Sequence, residues 1–393
     1  MAASNTSATA VPDVPKVMKA LRIEEFNADP PYVLRHDVPV PEVGPNDVLM
    51  RIATAGYCHT EIMVARGDFA SKSRNPLPLI PSHEPTGIVV ALGSNAASEP
   101  AGGKPSDDNQ NTNVPLKLGD RVGCITFRDY CGKCDECKRG TPKYCTNQDM
   151  VGVTADGAFA EYMRADYRSC VVLPQSLDFD SAAPLFCAGA TIYTAIVKCQ
   201  LKPGQTLAII GAGALGHLGV QFAKCLGYKV WLFDARDAPL EMCKSLPYPP
   251  DKTINSGKID GHDEIAVEKL VKEQLDGSRA DATIMATDVI SAHEFGLAIT
   301  KNHGLFMVVG QPNDPIPIHY NHFIFRDITV KGSLLGDPKT TCEMCELVAK
   351  HKIQVKTIAY PLEDVDKMRA DYAKPNHQGK MVIRVNSDGT WQP

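Results

Sequence analysis

Four cysteines close together are the feature of this sequence with the most specific chemistry. Cys131, Cys134, Cys137 and Cys145 follow the spacing Cys-x2-Cys-x2-Cys-x7-Cys. Steps this short let neighbouring thiolates reach one ion, and four thiolates complete the closed tetrahedral shell of a structural zinc site. Lysine and arginine side chains between them offset part of the negative charge that the thiolates place on the metal. We therefore predict a structural zinc lobe at residues 131–145.

A pair of disulfides is the alternative for these four cysteines, as in small secreted domains. That interpretation suits a long chain poorly, and the N-terminal segment lacks the basic and continuous apolar regions of a secretory signal. Thirteen cysteines in such a chain are typical of a reducing compartment, where thiols stay free to bind metal or to pack in a core. We therefore expect a cytoplasmic protein.

A glycine-rich loop, GAGALG, predicts a dinucleotide site. Gly211, Gly213 and Gly216 follow the apolar segment TLAII and precede a helical pattern. The first glycine permits a tight turn, the second lets the backbone approach a pyrophosphate, and the third lets the helix pack on the strand. Asp234 ends the next predicted strand and can accept hydrogen bonds from ribose hydroxyls, which favours NAD(H) over NADP(H), although the nearby Arg236 weakens that preference. A glycine turn with no ligand is the alternative.

Three further segments carry side chains that bind metal in other proteins. Two thiolates and one imidazole make a zinc site with its fourth position open to water or substrate. Spacing alone does not establish such a site here, because a buried cysteine is more often a packing residue than a ligand. The candidates are Cys58, His59, Thr60 and Glu61 in GYCHTEIM, His83 and Glu84 in IPSHEPTG, and Cys187 in APLFCAGATIY.

The elements that position these residues change character along the chain. The first part is typical of short strands separated by turn residues, at 47–58, 86–94 and 120–127. Between the last two strands, residues 94–113 are polar and rich in Gly, Pro, Ser and Asn, which predicts a mobile loop.

From Thr206 onward the pattern alternates between strands and helices. Residues 264–275 predict an amphipathic helix with Ile265, Leu270, Val271 and Leu275 along one face. Such alternation predicts a parallel sheet of βαβ units covered on both faces. The predicted strands lie at 206–211, 228–234, 280–287 and 304–310.

The bulk properties exclude several classes of partner. The length of 393 residues is enough for two domains with sizeable cores, and 44% hydrophobic and 22% charged residues are ordinary for a soluble globular protein. A net charge of −5 and a pI near 6.1 give no reason to expect nucleic acid as a partner. No apolar run approaches the ~20 residues that span a bilayer, so we expect no membrane partner.

The motifs CHTE, HEPTG, the four-cysteine lobe, APLFCAGATIY and GAGALGHLG occur in the order seen in the zinc-dependent medium-chain alcohol dehydrogenases. From about Lys19 to Val385 the chain resembles that family, and it looks most like the fungal, yeast-type members. The resemblance implies an α/β protein with a GroES-like β-barrel catalytic domain at 17–186 and 338–393. It also implies a Rossmann cofactor domain with a doubly wound parallel sheet at 187–337, and a disordered tail at 1–16.

The resemblance implies roles for individual residues as well. Cys58, His83 and Cys187 would bind a catalytic zinc, so that with the four-cysteine lobe each subunit would hold two zinc ions. Glu84 would lie close to the catalytic zinc. The implied cofactor contacts are His59 at the pyrophosphate, and Lys380 where the family usually has a phosphate-contacting arginine.

The predicted reaction is hydride transfer between a primary or secondary alcohol and NAD, or the reverse reduction of an aldehyde. Zinc is the Lewis acid that makes an alcohol more acidic, and the nicotinamide carries the redox chemistry. Thr60 is the predicted proton acceptor, because a hydroxyl must lie within hydrogen-bond reach of the transferring proton. The alternative is that Thr60 caps local backbone. The family includes dimers and tetramers, so we expect a homo-oligomer.

The sequence departs from the family pattern near the predicted ligands. Met63 stands where many relatives have a histidine that ends the proton relay, so protons must leave by another route. Ala65 and Phe69 stand in a stretch where yeast-type enzymes have bulky indoles, which predicts a pocket for a larger or secondary-metabolite substrate. The segment Ser-His-Glu-Pro-Thr-Gly replaces the usual glycines around His-Glu, and Pro85 is expected to shift the local backbone.

Three rival functions remain to be weighed. A zinc polyol dehydrogenase would use the glutamate after the histidine as third ligand, and Cys187 argues against it. A zinc-free quinone or enoyl reductase would lack Cys58, His83 and the lobe. A non-catalytic NAD-binding zinc protein would be expected to have lost a catalytic ligand or Thr60, and fold alone does not prove activity.

Two other motifs invite a chemical interpretation that we do not favour. His217 lies in the helix after the glycine loop and is interpreted as a helix-packing residue. Cys342 and Cys345, in CEMC, suggest redox chemistry, but their helical context favours packing.

Overall fold

The computed structural model describes residues 9–10, 14–27, 32–73, 77–102, 115–374 and 378–386. The expected disordered tail and mobile loop lie partly outside this range; within it, Thr9–Ala10 forms a short strand and residues 94–98 form turns. The chain divides into two compact units. Unit 1 comprises Met1–Cys187, Asp337–Glu346 and Val355–Pro393, and unit 2 comprises Ala188–Gly336 and Leu347–Gln354.

The strands in the described part of the chain are numbered in sequence order. They are β1 Thr9–Ala10, β2 Val17–Arg22, β3 Val33–Pro39, β4 Asp47–Tyr57, β5 Pro85–Leu92, β6 Arg121–Cys124, β7 Phe127–Arg128, β8 Asp149–Met150, β9 Tyr162–Asp166, β10 Cys170–Val172, β11 Thr206–Ile210, β12 Lys229–Asp234, β13 Lys252–Asn255, β14 Ala280–Met285, β15 Thr300–Val308, β16 Thr329–Gly332, β17 Thr357–Pro361 and β18 Lys380–Arg384.

The helices are numbered in the same way, and short 3₁₀ turns lie at Ala70–Lys72, Pro142–Tyr144, Tyr167–Ser169, Ala183–Phe186 and Leu362–Asp364. The α-helices are α1 His59–Arg66, α2 Asp135–Lys138, α3 Phe179–Ala182, α4 Ala188–Lys198, α5 Gly216–Cys225, α6 Asp237–Lys244, α7 Glu264–Gln274, α8 Ser291–Ile299, α9 Asn321–Ile324, α10 Pro338–His351 and α11 Val365–Tyr372. Among the described residues no single helix is long and apolar enough to cross a bilayer; the segments Phe179–Phe186 and Ala188–Lys198 pass that test only when joined as a bent pair.

Unit 1 is built on a largely antiparallel sheet with the strand order β10-β6-β5-β4-β18-β17, to which β1 and β9 add at β5 and β4. Strand β4 runs up to Tyr57, directly before Cys58, and β5 starts at Pro85, directly after Glu84. Because the two strands pair antiparallel with Ala55 opposite Pro85, the segments that carry Cys58 and His83 meet at one end of the sheet. The strand register therefore brings together residues that are far apart in the sequence.

Unit 2 contains a six-stranded sheet in which all strands are parallel, with the order β13-β12-β11-β14-β15-β16. Sheet order reverses at β11, the topological switch point at which doubly wound folds bind their ligands. The alternation of strands and helices in the sequence predicted this architecture, and the prediction is confirmed.

One detail of that prediction is wrong. Helix α7 buries Val267, Leu270 and Val271, and Leu275 after it is buried as well. Ile265, which we placed on the same face, is 84% exposed. Val267, Leu270 and Val271 have the i, i+3, i+4 spacing of one helix face, whereas Ile265 lies five positions before Leu270 and so points to another face.

Candidate active site and metal centres

The sulfur atoms of Cys131, Cys134, Cys137 and Cys145 all lie within 4.8 Å of one another. With Zn–S bonds of about 2.3 Å, tetrahedral geometry separates two sulfurs by about 3.8 Å, and the Sγ atoms of Cys131 and Cys145 are 3.7 Å apart. The N–H groups of Lys133 and Cys134 lower the pKa of Cys131 to about 6, which favours the thiolate that a metal requires. None of the thirteen cysteines, all of which lie in the described part of the chain, is in a disulfide, so the disulfide alternative is not realised. The donor set fits a closed zinc site.

A second group of metal-binding side chains forms in unit 1 from Cys58, His83, Glu84 and Cys187, with one donor atom of each within 4.8 Å of the others. The distance from Cys58 Sγ to His83 Nε2 is 3.6 Å. A zinc ion with Zn–S of about 2.3 Å and Zn–N of about 2.0–2.1 Å would hold these two atoms about 3.6 Å apart at a tetrahedral angle. The residues present therefore fit a zinc ion.

Cys58 is the N-cap of helix α1, and this fixes its orientation. Its Sγ accepts a hydrogen bond from Thr60 N at 3.3 Å, and its own N–H donates to Glu61 Oε2 at 2.8 Å. Together these contacts form a capping box in which the cysteine replaces the usual serine or threonine. The N-cap of helix α1 is therefore Cys58 and not Thr60, which was the alternative role for that threonine.

Glu61, which the sequence offers only as a neighbour of Cys58, contacts His83. Its Oε1 lies 2.6 Å from Nδ1 of His83, and both side chains are buried. An ionised carboxylate can only accept, so it would hold the proton of His83 on Nδ1 and leave Nε2, which lies 3.6 Å from Cys58 Sγ, as the nitrogen for a metal. Burial raises the pKa of Glu61. The Cys-x2-Glu spacing of a capping box is the signal that could have identified this residue.

Glu84 and Lys380 form a buried ion pair beside this cluster. Glu84 Oε1 accepts from Lys380 Nζ at 2.6 Å, and the same Nζ donates to Tyr57 O at 3.0 Å. Lys380 is only 2% exposed. The expected contact of Lys380 with a cofactor phosphate stays a prediction, and its ammonium group is already engaged by a carboxylate.

The protonation of the cluster follows from its crowding. The thiol of Cys187 beside Cys58 lowers the pKa of Cys58 well below its ordinary value, and the same contact raises the pKa of Cys187 well above it. Burial raises the pKa of Glu84 to about 7, although Lys380 opposes this shift. Glu84 Oε2 has no hydrogen-bond partner among the described residues. By position, either Glu84 or Cys187 can serve as third ligand, and Glu84 is ion-paired with Lys380.

Cys187 is placed by the 3₁₀ turn Ala183–Phe186. The ring of Phe186, directly before it, is fully buried against Gly123 of β6. A Cβ at position 123 would lie 1.9 Å from that ring, so a side chain there would displace Phe186 and with it Cys187.

In unit 2 the glycine loop GAGALG joins β11 to α5. Gly211 has a φ of +107°, and a Cβ on Gly216 would lie 2.0 Å from Gly211 O. The loop therefore closes only with glycine at both positions. A Cβ on Gly213 would meet nothing within 4 Å, which leaves its backbone open to a ligand. These are the three properties expected of a pyrophosphate loop.

Asp234 ends β12 beside that loop and is 7% exposed. Its Oδ2 accepts from Ala212 N at 2.8 Å, and its Oδ1 accepts from Arg236 N at 2.9 Å and from Arg236 Nε at 3.1 Å. Both residues line a cavity of about 870 Å³ that also includes Gly211 and Lys258. The cavity lies at the carboxyl ends of the parallel strands, where a dinucleotide binds in such sheets.

The remaining predicted residues occupy varied places. His59 is the exposed first residue of α1, and Met63 lies partly buried in the same helix. Ala65 is 2% exposed within the core of unit 1, and Phe69 packs against that core. Ala65 therefore faces the core, and the argument for a larger substrate rests on Phe69.

The interpretation of three residues as packing residues agrees with their burial. His217 is fully buried, with Nδ1 3.1 Å from Gly213 O. Cys342 and Cys345 are at most 1% exposed in helix α10.

Two family descriptions match the chain. "Alcohol dehydrogenase GroES-like domain" matches residues 44–175, and "Zinc-binding dehydrogenase" matches residues 214–350. An alcohol dehydrogenase of Geobacillus stearothermophilus is 33% identical over 94% of this chain and 100% of its own length. Alcohol dehydrogenase 1 of the fungus Emericella nidulans is 29% identical over 88% of this chain and 93% of its own length. The expected closeness to fungal members is not confirmed.

Solved structures share the fold over almost the whole chain. The alcohol dehydrogenase of the archaeon Aeropyrum pernix matches with a TM-score of 0.76 and 25% identity, covering 93% of this chain and 100% of that one. A cinnamyl alcohol dehydrogenase of Sorghum bicolor matches with a TM-score of 0.77 and 22% identity, covering 96% and 100%. These matches confirm the predicted pairing of a GroES-like domain with a Rossmann domain.

Proposed function

Because the chain belongs to the zinc-dependent medium-chain alcohol dehydrogenase family, we propose that it oxidises an alcohol, or reduces the corresponding aldehyde, with NAD(H) and a catalytic zinc ion. The observation that carries this proposal is the cluster of Cys58, His83 and Cys187 in unit 1. Two thiolates and one imidazole leave one position of a tetrahedral ion open for substrate. The four cysteines of the lobe would hold a second zinc ion.

Cys187 is our choice for the third ligand. Glu84 is ion-paired with Lys380, whereas the sulfur of Cys187 lies beside Cys58. A polyol dehydrogenase would use Glu84 as the third ligand, but Lys380 already balances the charge of that carboxylate through Oε1, which makes its Oε2 a weaker donor to a metal. The Glu84–Lys380 ion pair thus supports the alcohol dehydrogenase ligand set.

When bound, zinc supplies Lewis acidity toward the substrate oxygen, and NAD supplies a hydride acceptor. Glu61 fixes the tautomer and orientation of His83 through the 2.6 Å contact at Nδ1. Thr60, whose N–H is bonded to Cys58 Sγ, is proposed to accept the hydroxyl proton of the alcohol. Met63 cannot pass that proton on, so we propose that it leaves through water.

We propose NAD(H) rather than NADP(H) as the cofactor, with His59 at the pyrophosphate. The carboxylate of Asp234 at the end of β12 supports this choice, because a 2′-phosphate would meet its negative charge. A comparison of kcat/KM for NAD and NADP tests the choice. Equal values for the two cofactors would count against Asp234 as the discriminating residue.

A homo-oligomer is also part of the proposal. Tyr320, Ile324 and Phe325 of unit 2 are 57, 70 and 72% exposed. Large apolar side chains grouped at the surface mark interaction sites. Thirteen cysteines without a disulfide in the described part of the chain support a reducing compartment, the cytoplasm, as its location.

The first experiment measures zinc per chain and follows NADH absorbance with ethanol, longer aliphatic alcohols and aromatic alcohols. Two zinc ions and NAD-dependent turnover are expected, with a preference for the larger alcohols beside Phe69. Cys187→Ser should remove one zinc and the turnover, while Cys199→Ser, at a buried cysteine of unit 2, should change neither. One zinc per parent chain with no turnover would favour the non-catalytic alternative.

A further inference from the structure

Ser82, directly before the predicted ligand His83, has a backbone conformation that serine rarely adopts. Its φ is +78°, in the left-handed region, and the residue is fully buried. In that region the Cβ of an L-residue crowds its own backbone, so only glycine adopts it freely. Such an outlier persists only when surrounding contacts hold it.

Three contacts hold this peptide. The hydroxyl of Ser82 donates to Gly56 O at 2.8 Å, and the carbonyl of Ser82 accepts from Ala158 N at 2.9 Å. Gly157 packs so closely on the same carbonyl that a Cβ there would lie 2.2 Å from Ser82 O. The carbonyl of Ser82 is therefore enclosed by backbone, and its side chain contributes the hydrogen bond to Gly56 O.

The hydroxyl bond joins the two segments that carry zinc ligands. Gly56 lies two residues before Cys58, and its N–H donates to Glu84 O at 3.0 Å, one residue after His83. The bond from Ser82 Oγ to Gly56 O is thus a second link between strand β4, which ends directly before Cys58, and the segment that carries His83. Any rotation of the Ser82 backbone out of the left-handed region would turn the following residue, His83, relative to Cys58.

We propose that Ser82 is a positioning residue of the catalytic zinc site: its hydroxyl bond to Gly56 O holds a serine in a glycine-like conformation and so aims the His83 imidazole at the metal. The inference rests on the proposed zinc site. Two atoms of the Ser82 side chain have opposite effects on the backbone. The Cβ disfavours the left-handed conformation, and the hydrogen bond of the Oγ stabilises it. Removal of the hydroxyl alone should therefore let the backbone leave the left-handed region, whereas removal of the hydroxyl together with the Cβ should not.

The test compares Ser82→Ala with Ser82→Gly. Ser82→Ala keeps the Cβ without its hydrogen bond, so we expect one of the two zinc ions to reach a chelator at least about tenfold faster than in the parent, together with an altered visible spectrum of the cobalt(II)-substituted protein. Ser82→Gly adopts the same φ without strain, so it should match the parent within about twofold. Ser169→Ala is the control, since Ser169 is also buried and donates to a carbonyl, that of Phe127.

Zinc release from Ser82→Ala at the parent rate would overturn the proposal. A glycine variant that loses zinc as fast as the alanine variant would also overturn it, because the hydroxyl would then act independently of the backbone conformation. Amide exchange at Ala158, whose N–H donates to Ser82 O, gives a readout that needs no metal. Faster exchange in Ser82→Ala alone supports the inference even if the parent shows no turnover, so the two proposals can fail separately.

Discussion

The Glu61 carboxylate lies 2.6 Å from Nδ1 of His83, with both groups buried at the start of helix α1 and the end of the segment before β5. A neighbouring carboxylate of this kind fixes which ring nitrogen carries the proton and raises the basicity of the other. The same carboxylate caps the N–H of Cys58. One side chain therefore orients two of the three proposed zinc ligands.

Glu61→Gln should weaken zinc binding at the catalytic site by about 10- to 100-fold, the usual effect of removing such a partner. The amide keeps the size of the side chain but loses the charge that balances His83. Competition with a chelator measures the affinity of each site, and the four-cysteine lobe provides an internal reference. Glu241→Gln is the control, because Glu241 is exposed and pairs with Lys244 within the same helix, α6. Unchanged affinity in Glu61→Gln would show that the helix cap alone orients the ligands.

Lys380→Met should destabilise unit 1 by about 3–5 kcal/mol, because it leaves the Glu84 carboxylate buried without its cation. The double variant Glu84→Gln with Lys380→Met removes both charges and should recover most of that loss. Urea denaturation of the parent, both single variants and the double variant measures the coupling between the two side chains. Additive effects of the two single changes would contradict a direct ion pair.

Asp281→Asn should lower the melting temperature at neutral pH and lose this effect in acid. Burial alone would raise the pKa of Asp281, but hydrogen bonds from Lys301, Thr206 N and Gln205 lower it overall. A lowered pKa means that the carboxylate stabilises the fold above the unfolded-state pKa of about 3.9 and that this contribution disappears as the pH falls through the folded-state value.

At pH 7 we expect Asp281→Asn to cost about 1.5–3 kcal/mol, as for hydrogen bonds to charged groups. The gap in melting temperature between parent and variant should stay constant from pH 7 to pH 5 and narrow below about pH 4. Thermal scans across this range measure it. A gap that stays constant down to pH 3 would mean that the charge of Asp281 contributes nothing.

Phe325→Asp should reduce the size of the assembly in solution. The side chain is 72% exposed beside Ile324, and a carboxylate at the centre of an apolar interface is not solvated there. Size-exclusion chromatography with light scattering measures the mass. Ile358→Asp, at a 43% exposed residue of unit 1, is the control. An assembly of parental mass in Phe325→Asp would place the contact elsewhere.

Local spacing made the four-cysteine lobe and the glycine loop predictable, because each needs residues only a few positions apart. The Cys58–His83–Cys187 cluster was predicted from family resemblance, because the register of β4 and β5 brings Cys58 to His83 and the separate turn at Ala183–Phe186 brings Cys187 to them. The contact of Lys380 with a cofactor phosphate stays a prediction, and its ion pair with Glu84 could not be predicted from spacing, because 296 positions of sequence separate the two residues. Ser82 shows the same limit, because a left-handed serine depends on a carbonyl of another strand and leaves no trace in composition or periodicity.

The antiparallel pairing of β18 with β4, Met381 opposite Tyr57, has a consequence for the order of folding. The sheet of unit 2 is drawn from one uninterrupted stretch, so its contacts can form while the ribosome is still adding residues. Unit 1 must wait for its last strand, which is also the one that brings Lys380 to Glu84. Until that strand arrives, Glu84 has no cation beside it, and a nascent chain that stops before β18 would have all strands of the parallel sheet of unit 2 but an incomplete sheet in unit 1.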